Sequence, residues 1–139
     1  MKSVILDTNV VVSALIQKSY PHYIVYDYVL NERVKLHLSI ALLNEYIDVL
    51  SRPKFAKIAG FSSNAEIVLG RFEKIAEFYN PKIRLEIIRD KSDNKFLELA
   101  DESNSNFLIT GNNTDFTMSH YKNTQILSPR SFWEMQENS

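Results

Sequence analysis

Val4-Ile5-Leu6-Asp7-Thr8-Asn9 is the stretch that decides the fold. Three apolar residues run together and stop at a polar triplet. The run is too short for a helix, and it lacks the alternation of a strand with one wet face. It reads as a strand buried on both sides, the kind found in parallel sheets covered by helices. Phe107-Leu108-Ile109 is a second such run and stops at Thr110-Gly111-Asn112-Asn113; Gln125-Ile126-Leu127 is a third. Val34, Leu36 and Leu38 alternate with Lys35 and His37, which predicts a half-buried strand with His37 toward solvent.

Helical patterns lie between these strands. Val10 to Ile16 suits a short helix, and Tyr23, Tyr26 and Val29-Leu30 fall at helical spacing within Tyr20 to Leu30. Ser39 is a good N-cap for a helix through about Leu50, with Leu42, Leu43, Tyr46, Ile47 and Leu50 on its apolar face and Pro53 ending it. Ser62 or Ser63 caps the next helix, with Glu66 as capping-box partner and Ile67, Val68, Phe72, Ile75, Ala76 and Tyr79 as its stripe. Ile83 to Ile88 reads as extended, and Ser92 or Asp93 opens a helix through about Ser103. Ser128-Pro129 starts a terminal helix. Strands alternating with helices predict an α/β fold with a parallel sheet and helices on both faces.

The chain has 139 residues and a formal net charge of −1. That length suits a single domain spanning 1–139. It has no cysteine, which excludes a disulfide scaffold, a thiolate zinc site and a thiol nucleophile. His22, His37 and His120 are scattered and suggest neither a zinc site nor a triad. No window is apolar enough for a membrane span and no leader is visible, so a cytoplasmic protein is expected.

The near-neutral charge argues against a chain that holds nucleic acid by bulk positive field. Locally the balance differs. From Arg52 to Lys95 there are ten Lys/Arg against six Asp/Glu, a balance of +4, which leaves −5 elsewhere. Arg52, Lys54 and Lys57 form one subcluster, while Arg89, Lys91 and Lys95 surround Asp93; both could contact phosphates. Solvated helix faces are the bland alternative, and ion pairing suits Arg71 and Lys74 better.

Ligands of open parallel sheets bind outside the carboxyl ends of the strands. Asp7-Thr8-Asn9 and the Thr110 to Asp115 cluster fall on that edge, Asp93 opens a helix that can face it, and Glu45 stands among apolar residues of another helix. Read singly, Asp7 and Asp115 also suit turns, Glu45 a partly exposed helix position and Asp93 a plain N-cap. Converging carboxylates need a counter-charge, and a hard divalent cation with oxygen ligands supplies it. Mg²⁺ or Mn²⁺ in such a site suits phosphoryl chemistry. A receiver-type arrangement is absent, since no early acidic pair, mid-chain phosphoacceptor Asp and late Lys occur together.

Val4-Ile5-Leu6-Asp7-Thr8-Asn9, then Glu45, then Asp93, then Leu108-Ile109-Thr110-Gly111-Asn112 resembles the PIN-domain family. The segments Ser39 to Lys54, Arg89 to Ala100 and Ile126 to Phe132 are similar to its bacterial branch of toxin components in toxin–antitoxin pairs. The resemblance implies a three-layer α/β/α fold with a mostly parallel sheet of about five strands. It implies a Mg²⁺- or Mn²⁺-dependent ribonuclease giving a 5′-phosphate and a 3′-hydroxyl. By resemblance Asp7, Glu45 and Asp93 are catalytic acids and metal ligands. The fourth acidic position falls at Asn112, a departure, or is served by Asp115. Thr8, Asn9 and Thr110 would hydrogen-bond the carboxylates. The departure at Asn112 keeps open an impaired module that binds RNA or protein. The implied partners are RNA and an antitoxin protein; tyrosines 20, 23, 26 and 28 offer a surface for that protein or a homodimer, or else a core-facing stripe.

Overall fold

The protein was analysed as a computed structural model, which describes residues 1–90, 93–112 and 116–138. β1 (Ser3–Leu6) is fully buried and lies inside a six-stranded sheet of order β3-β2-β1-β4-β6-β5. β2 is Lys35–Leu38, β3 Glu77–Phe78, β4 Phe107–Ile109, β5 His120–Tyr121 and β6 Thr124–Leu127. Every pairing is parallel except the β5–β6 hairpin. Leu6 is level with Ile109, and Ile109 with Leu127, so Asp7, Thr110 and Ser128 leave the sheet side by side.

The helices are α1 (Thr8–Ile16), α2 (Tyr20–Tyr23), α3 (Ile40–Leu50), α4 (Pro53–Ala56), α5 (Phe61–Ile75), α6 (Asn94–Ser103) and α7 (Pro129–Glu137). They cover both faces of the sheet and give the three-layer α/β/α architecture. α1, α3 and α5 pack together, and α7 packs on α2. Val4, Ile5, Leu6, Leu108 and Ile109 are all completely shielded from solvent, which is why these strands read as unbroken apolar runs. The Ser39 and Ser128 caps form as expected, each hydroxyl accepting from a backbone N–H at the helix start, Leu42 at 3.1 Å and Ser131 at 3.0 Å.

Several sequence-based expectations change. Among the described residues the sheet has six strands beside the expected five or so, because β3 and β5 are two-residue strands too short to show a period. Ile83 to Ile88 forms no strand. Side chains of α6 take its backbone instead: Glu98 accepts from the Leu85 N–H at 2.8 Å, and the buried Asn94 accepts from Ile87 and Ile88 and donates to the Ile88 carbonyl. α5 starts at Phe61, not at a serine cap. Gly60 takes φ 77° to turn the chain, and the buried Phe61 stacks on Phe55 at 4.8 Å. Ala65, Val68 and Phe72 form its buried stripe, and Ile67 points to solvent at 62% exposure.

α2 passes into a π-helical turn over Ile24–Val29. Its tyrosines pack within the chain. Tyr20 and Tyr23 face Trp133 of α7 at 5.5 and 6.4 Å, and the buried Tyr28 donates its hydroxyl to Glu137. His37 does not face solvent. It is 5% exposed, with its ring against Tyr79 at 4.9 Å, because β3 covers that edge of β2.

Candidate metal centre

Asp7 stands where β1 ends and α1 begins, as the N-cap of α1. The strand fixes its backbone, since its N–H donates to the Ile109 carbonyl at 3.0 Å. Its side chain is buried at 4% exposure. The Thr110 hydroxyl donates to Oδ2 at 2.6 Å, and the Asn9 N–H approaches Oδ1 at 3.5 Å. Burial pushes the Asp7 carboxyl above its ordinary value; the Thr110 bond opposes this, and the Glu45 charge adds to it.

Thr110 also accepts from the Asn112 N–H at 3.0 Å. The Asn112 side-chain amide donates to Asp93 Oδ2 at 3.4 Å. Asp93 precedes α6 without a side-chain bond to the helix backbone, so it does not act as the plain cap that its position allowed. On the other side of Asp7, the buried Thr8 hydroxyl donates to Glu45 Oε2, and Lys95 pairs with Glu45 Oε1. One polar chain therefore runs from Asp93 through Asn112, Thr110, Asp7, Thr8 and Glu45 to Lys95.

Tyr46, beside Glu45, was legible in the sequence only as part of the apolar face of α3. It is fully buried and donates its hydroxyl to the Leu6 carbonyl at 2.5 Å. Burial, with the nearby Asp7 and Glu45 charges, pushes its phenol well above the ordinary range, so it stays a donor. It ties the helix that carries Glu45 to the strand that presents Asp7. The Lys95–Glu45 pair is the second feature that sequence reading missed: the two residues are 50 positions apart and no local pattern relates them.

The other expected residues are spread more widely. Asn9 is exposed and, with Gly111, Asn112 and Pro129, lines a cavity of about 540 Å³ beside the polar chain. Arg89 is exposed near α6. Arg52, Lys54 and Lys57 follow the far end of α3, which closes at Leu50. Arg52 pairs with Asp48, and Lys54 lies over the Phe55 ring. Asp115 and Lys91 lie outside the described residues.

The donors are all oxygen, which suits a hard divalent cation and not a soft one. Among the described residues no three Asp, Glu or His side chains converge closely enough to hold a metal ion. The arrangement fits a cation that takes one or two carboxylates and keeps its waters, as Mg²⁺ commonly does. The Lys95 ammonium at Glu45 is a stand-in cation in that place, and the buried Asp7 carboxylate accepts from two neutral donors, the Thr110 hydroxyl and the Asn9 N–H.

Fold and site define an α/β/α protein with an acidic, oxygen-lined centre at the carboxyl edge of a parallel sheet. The PIN domain family model matches residues 3–114, and the chain belongs to the PIN domain family. PIN domains are generally metal-dependent nucleases acting on nucleic acids. The chain is also similar to the uncharacterized protein MJ1680 of Methanocaldococcus jannaschii. The two are 32% identical over 108 residues, which is 78% of this chain and 69% of the relative. None of the described helices is long and apolar enough to cross a membrane.

Proposed function

We propose that the protein is a Mg²⁺- or Mn²⁺-dependent ribonuclease and the toxin of a toxin–antitoxin pair. The polar chain that joins Asp93, Asp7 and Glu45 at one sheet edge carries the nuclease reading. Asp7 and Asp93 would hold the cation, assisted by Glu45 and Asp115. The chemistry such a cation supplies is acidification of water and neutralisation of charge developing on a phosphate. Thr110 orients Asp7 by its hydroxyl and takes the Asn112 N–H, so one side chain sets the spacing of two site residues. Thr8 does the same for Glu45. Arg89, Lys91 and Lys95 would meet phosphates near the acids, and Arg52, Lys54 and Lys57 would meet them farther along.

The toxin role rests on the sequence resemblance, and an antitoxin protein would be the partner. Asn112 favours a second reading, an impaired module that binds RNA or protein, because a neutral amide replaces a carboxylate and donates to Asp93.

The deciding experiment incubates the purified protein with single-stranded and structured RNA, with Mn²⁺, Mg²⁺ or chelator, beside Asp7→Asn and Asp93→Asn. Cleavage that needs the divalent ion and both acids supports the ribonuclease. Cleavage that survives chelator or both substitutions sinks the metal mechanism. RNA bound but never cut supports the module. Growth arrest on expression, relieved by Asp7→Asn, is the matching test of the toxin role.

A further inference from the structure

Both oxygens of the Glu45 carboxylate are engaged within the chain. Oε2 accepts from Thr8, and Oε1 carries the Lys95 ammonium. The pair is neither a solvated surface pair nor a sealed one, with side-chain exposures of 27% for Lys95 and 21% for Glu45. Lys95 also lines a groove of about 290 Å³ that runs past the start of α3, together with Ser39, Ile40, Tyr79, Arg84 and Glu98. The lysine thus stands between an acid that a metal would use and an open groove with a second, exposed cation. Its four-carbon stem lets the ammonium swing from one to the other while the backbone of α6 stays in place.

We propose that Lys95 is an exchangeable cation. It neutralises Glu45 until a divalent cation loads, and it then turns into the groove, where with Arg84 it takes a phosphate of single-stranded RNA. This rests on the ribonuclease reading above and adds an order to it, metal first and RNA second. The physical ground is competition. Glu45 Oε1 faces one cation at a time, and a divalent ion between Asp7 and Glu45 repels the ammonium. In the groove the displaced ammonium and Arg84 face the Glu98 carboxylate, which already accepts the Leu85 N–H, and an RNA phosphate offsets the positive charge left over. Metal and RNA must therefore strengthen each other's binding by the same factor.

The test compares the full chain with Lys95→Met, which keeps the stem, and Lys95→Gln, which keeps a polar end without charge. Circular dichroism confirms that each folds. Mn²⁺ affinity is measured by calorimetry without RNA. Affinity for a labelled single-stranded RNA is measured by anisotropy, in chelator and in Ca²⁺, with a gel to confirm that the RNA stays intact. Both variants should bind Mn²⁺ roughly 5-fold tighter or better than wild type. Wild-type affinity for RNA should rise by at least a similar factor on adding Ca²⁺, and that rise should shrink in both variants by the factor they gain in Mn²⁺ affinity. Unchanged Mn²⁺ affinity in the variants overturns the exchange, even where wild type cleaves RNA and the nuclease reading stands. The opposite result, a full exchange signature with no RNA cleaved, supports the exchange and sinks the nuclease reading. Failure of wild type and variants alike to bind Mn²⁺ overturns both.

Discussion

The end of β1 has two flanks, and they handle buried polarity in opposite ways. On the β4 flank, neutral groups surround the buried Asp7: the Thr110 hydroxyl, the Asn9 N–H and, through Thr110, the Asn112 amide. On the β2 flank, Glu45 is only half-buried and takes a full positive charge from Lys95, while His37 is buried against an aromatic ring. The first flank keeps a negative charge that neutral donors only partly offset; the second cancels its own. A site of the first kind costs stability and is ready for an external cation. The two flanks also respond to pH with opposite sign, since burial raises the Asp7 pKa and lowers that of His37.

The largest effect should come from Asp7→Asn. RNA cleavage should fall on the order of a thousandfold. The metal-free protein should become more stable by about 1 kcal/mol, a stability–function trade-off seen when a buried charge is removed. That corresponds to a rise of about 3–5 °C in Tm. Loss of activity together with a lower Tm would break the contrast between the flanks, because Asp7 would then be a stabilising group like any paired acid.

Thr110→Val comes next. It keeps the shape of the side chain but removes the hydroxyl that donates to Asp7 and accepts from Asn112. Activity should drop roughly 10- to 100-fold, as for other partners that orient ligands. The acidic limb of the pH–rate profile should move to higher pH, because the bond that holds the Asp7 carboxyl down is gone. A profile that keeps its shape would show that Thr110 does not set the protonation of Asp7.

Tyr46→Phe tests what joins the flanks. It deletes the buried bond from α3 to the Leu6 carbonyl, at a cost of about 1 kcal/mol and about 3–5 °C in Tm. Metal affinity should fall with it, since Glu45 and Asp7 lose their common tie. A loss of stability with unchanged Mn²⁺ affinity would make Tyr46 a core residue only.

Much of this architecture was legible in the sequence, for a physical reason. Strands buried on both faces are continuous apolar runs, and their ends are abrupt where solvent begins, so β1, β4 and the polar residues after them stood out. Ser39 and Ser128 were legible because a capping hydroxyl serves one local backbone N–H. β3 and β5 were not, since two residues carry no period. α5 starts before either serine because the turn at Gly60 and the stacking of the buried Phe61 on Phe55 set its first residue, which outweighs a serine cap. Ile83 to Ile88 carries the apolar content of a strand, yet Asn94 and Glu98 satisfy its backbone before any neighbouring strand does. At the site, spacing brought Asp7, Asp93 and Thr110 under suspicion, while the Glu45–Lys95 pair and the Tyr46 bond depend on contacts across 50 and 40 positions.

The smallest effect lies on the β2 flank, in His37. Its Nδ1 is buried without a hydrogen-bond partner among the described residues. Burial lowers its pKa below the ordinary 6.5; the Glu77 charge opposes this and the Lys35 charge adds to it. The unfolded chain therefore binds a proton that the folded chain refuses, in the interval between the lowered value and 6.5. Stability from this group is complete above pH 6.5 and is lost as pH falls through the folded value, with a slope of at most about 1.4 kcal/mol per pH unit. Asp7 runs the other way: its contribution is complete below 3.8 and is lost as pH rises through its raised value. Urea melts of the metal-free protein from pH 5 to 8 should show the His37 slope, and His37→Phe, which keeps a ring against Tyr79, should flatten it. With His37→Phe in place, any remaining decline toward higher pH belongs to Asp7 and should disappear on adding Asp7→Asn. A slope untouched by His37→Phe would place the acid-sensitive step elsewhere and remove the β2 half of the contrast.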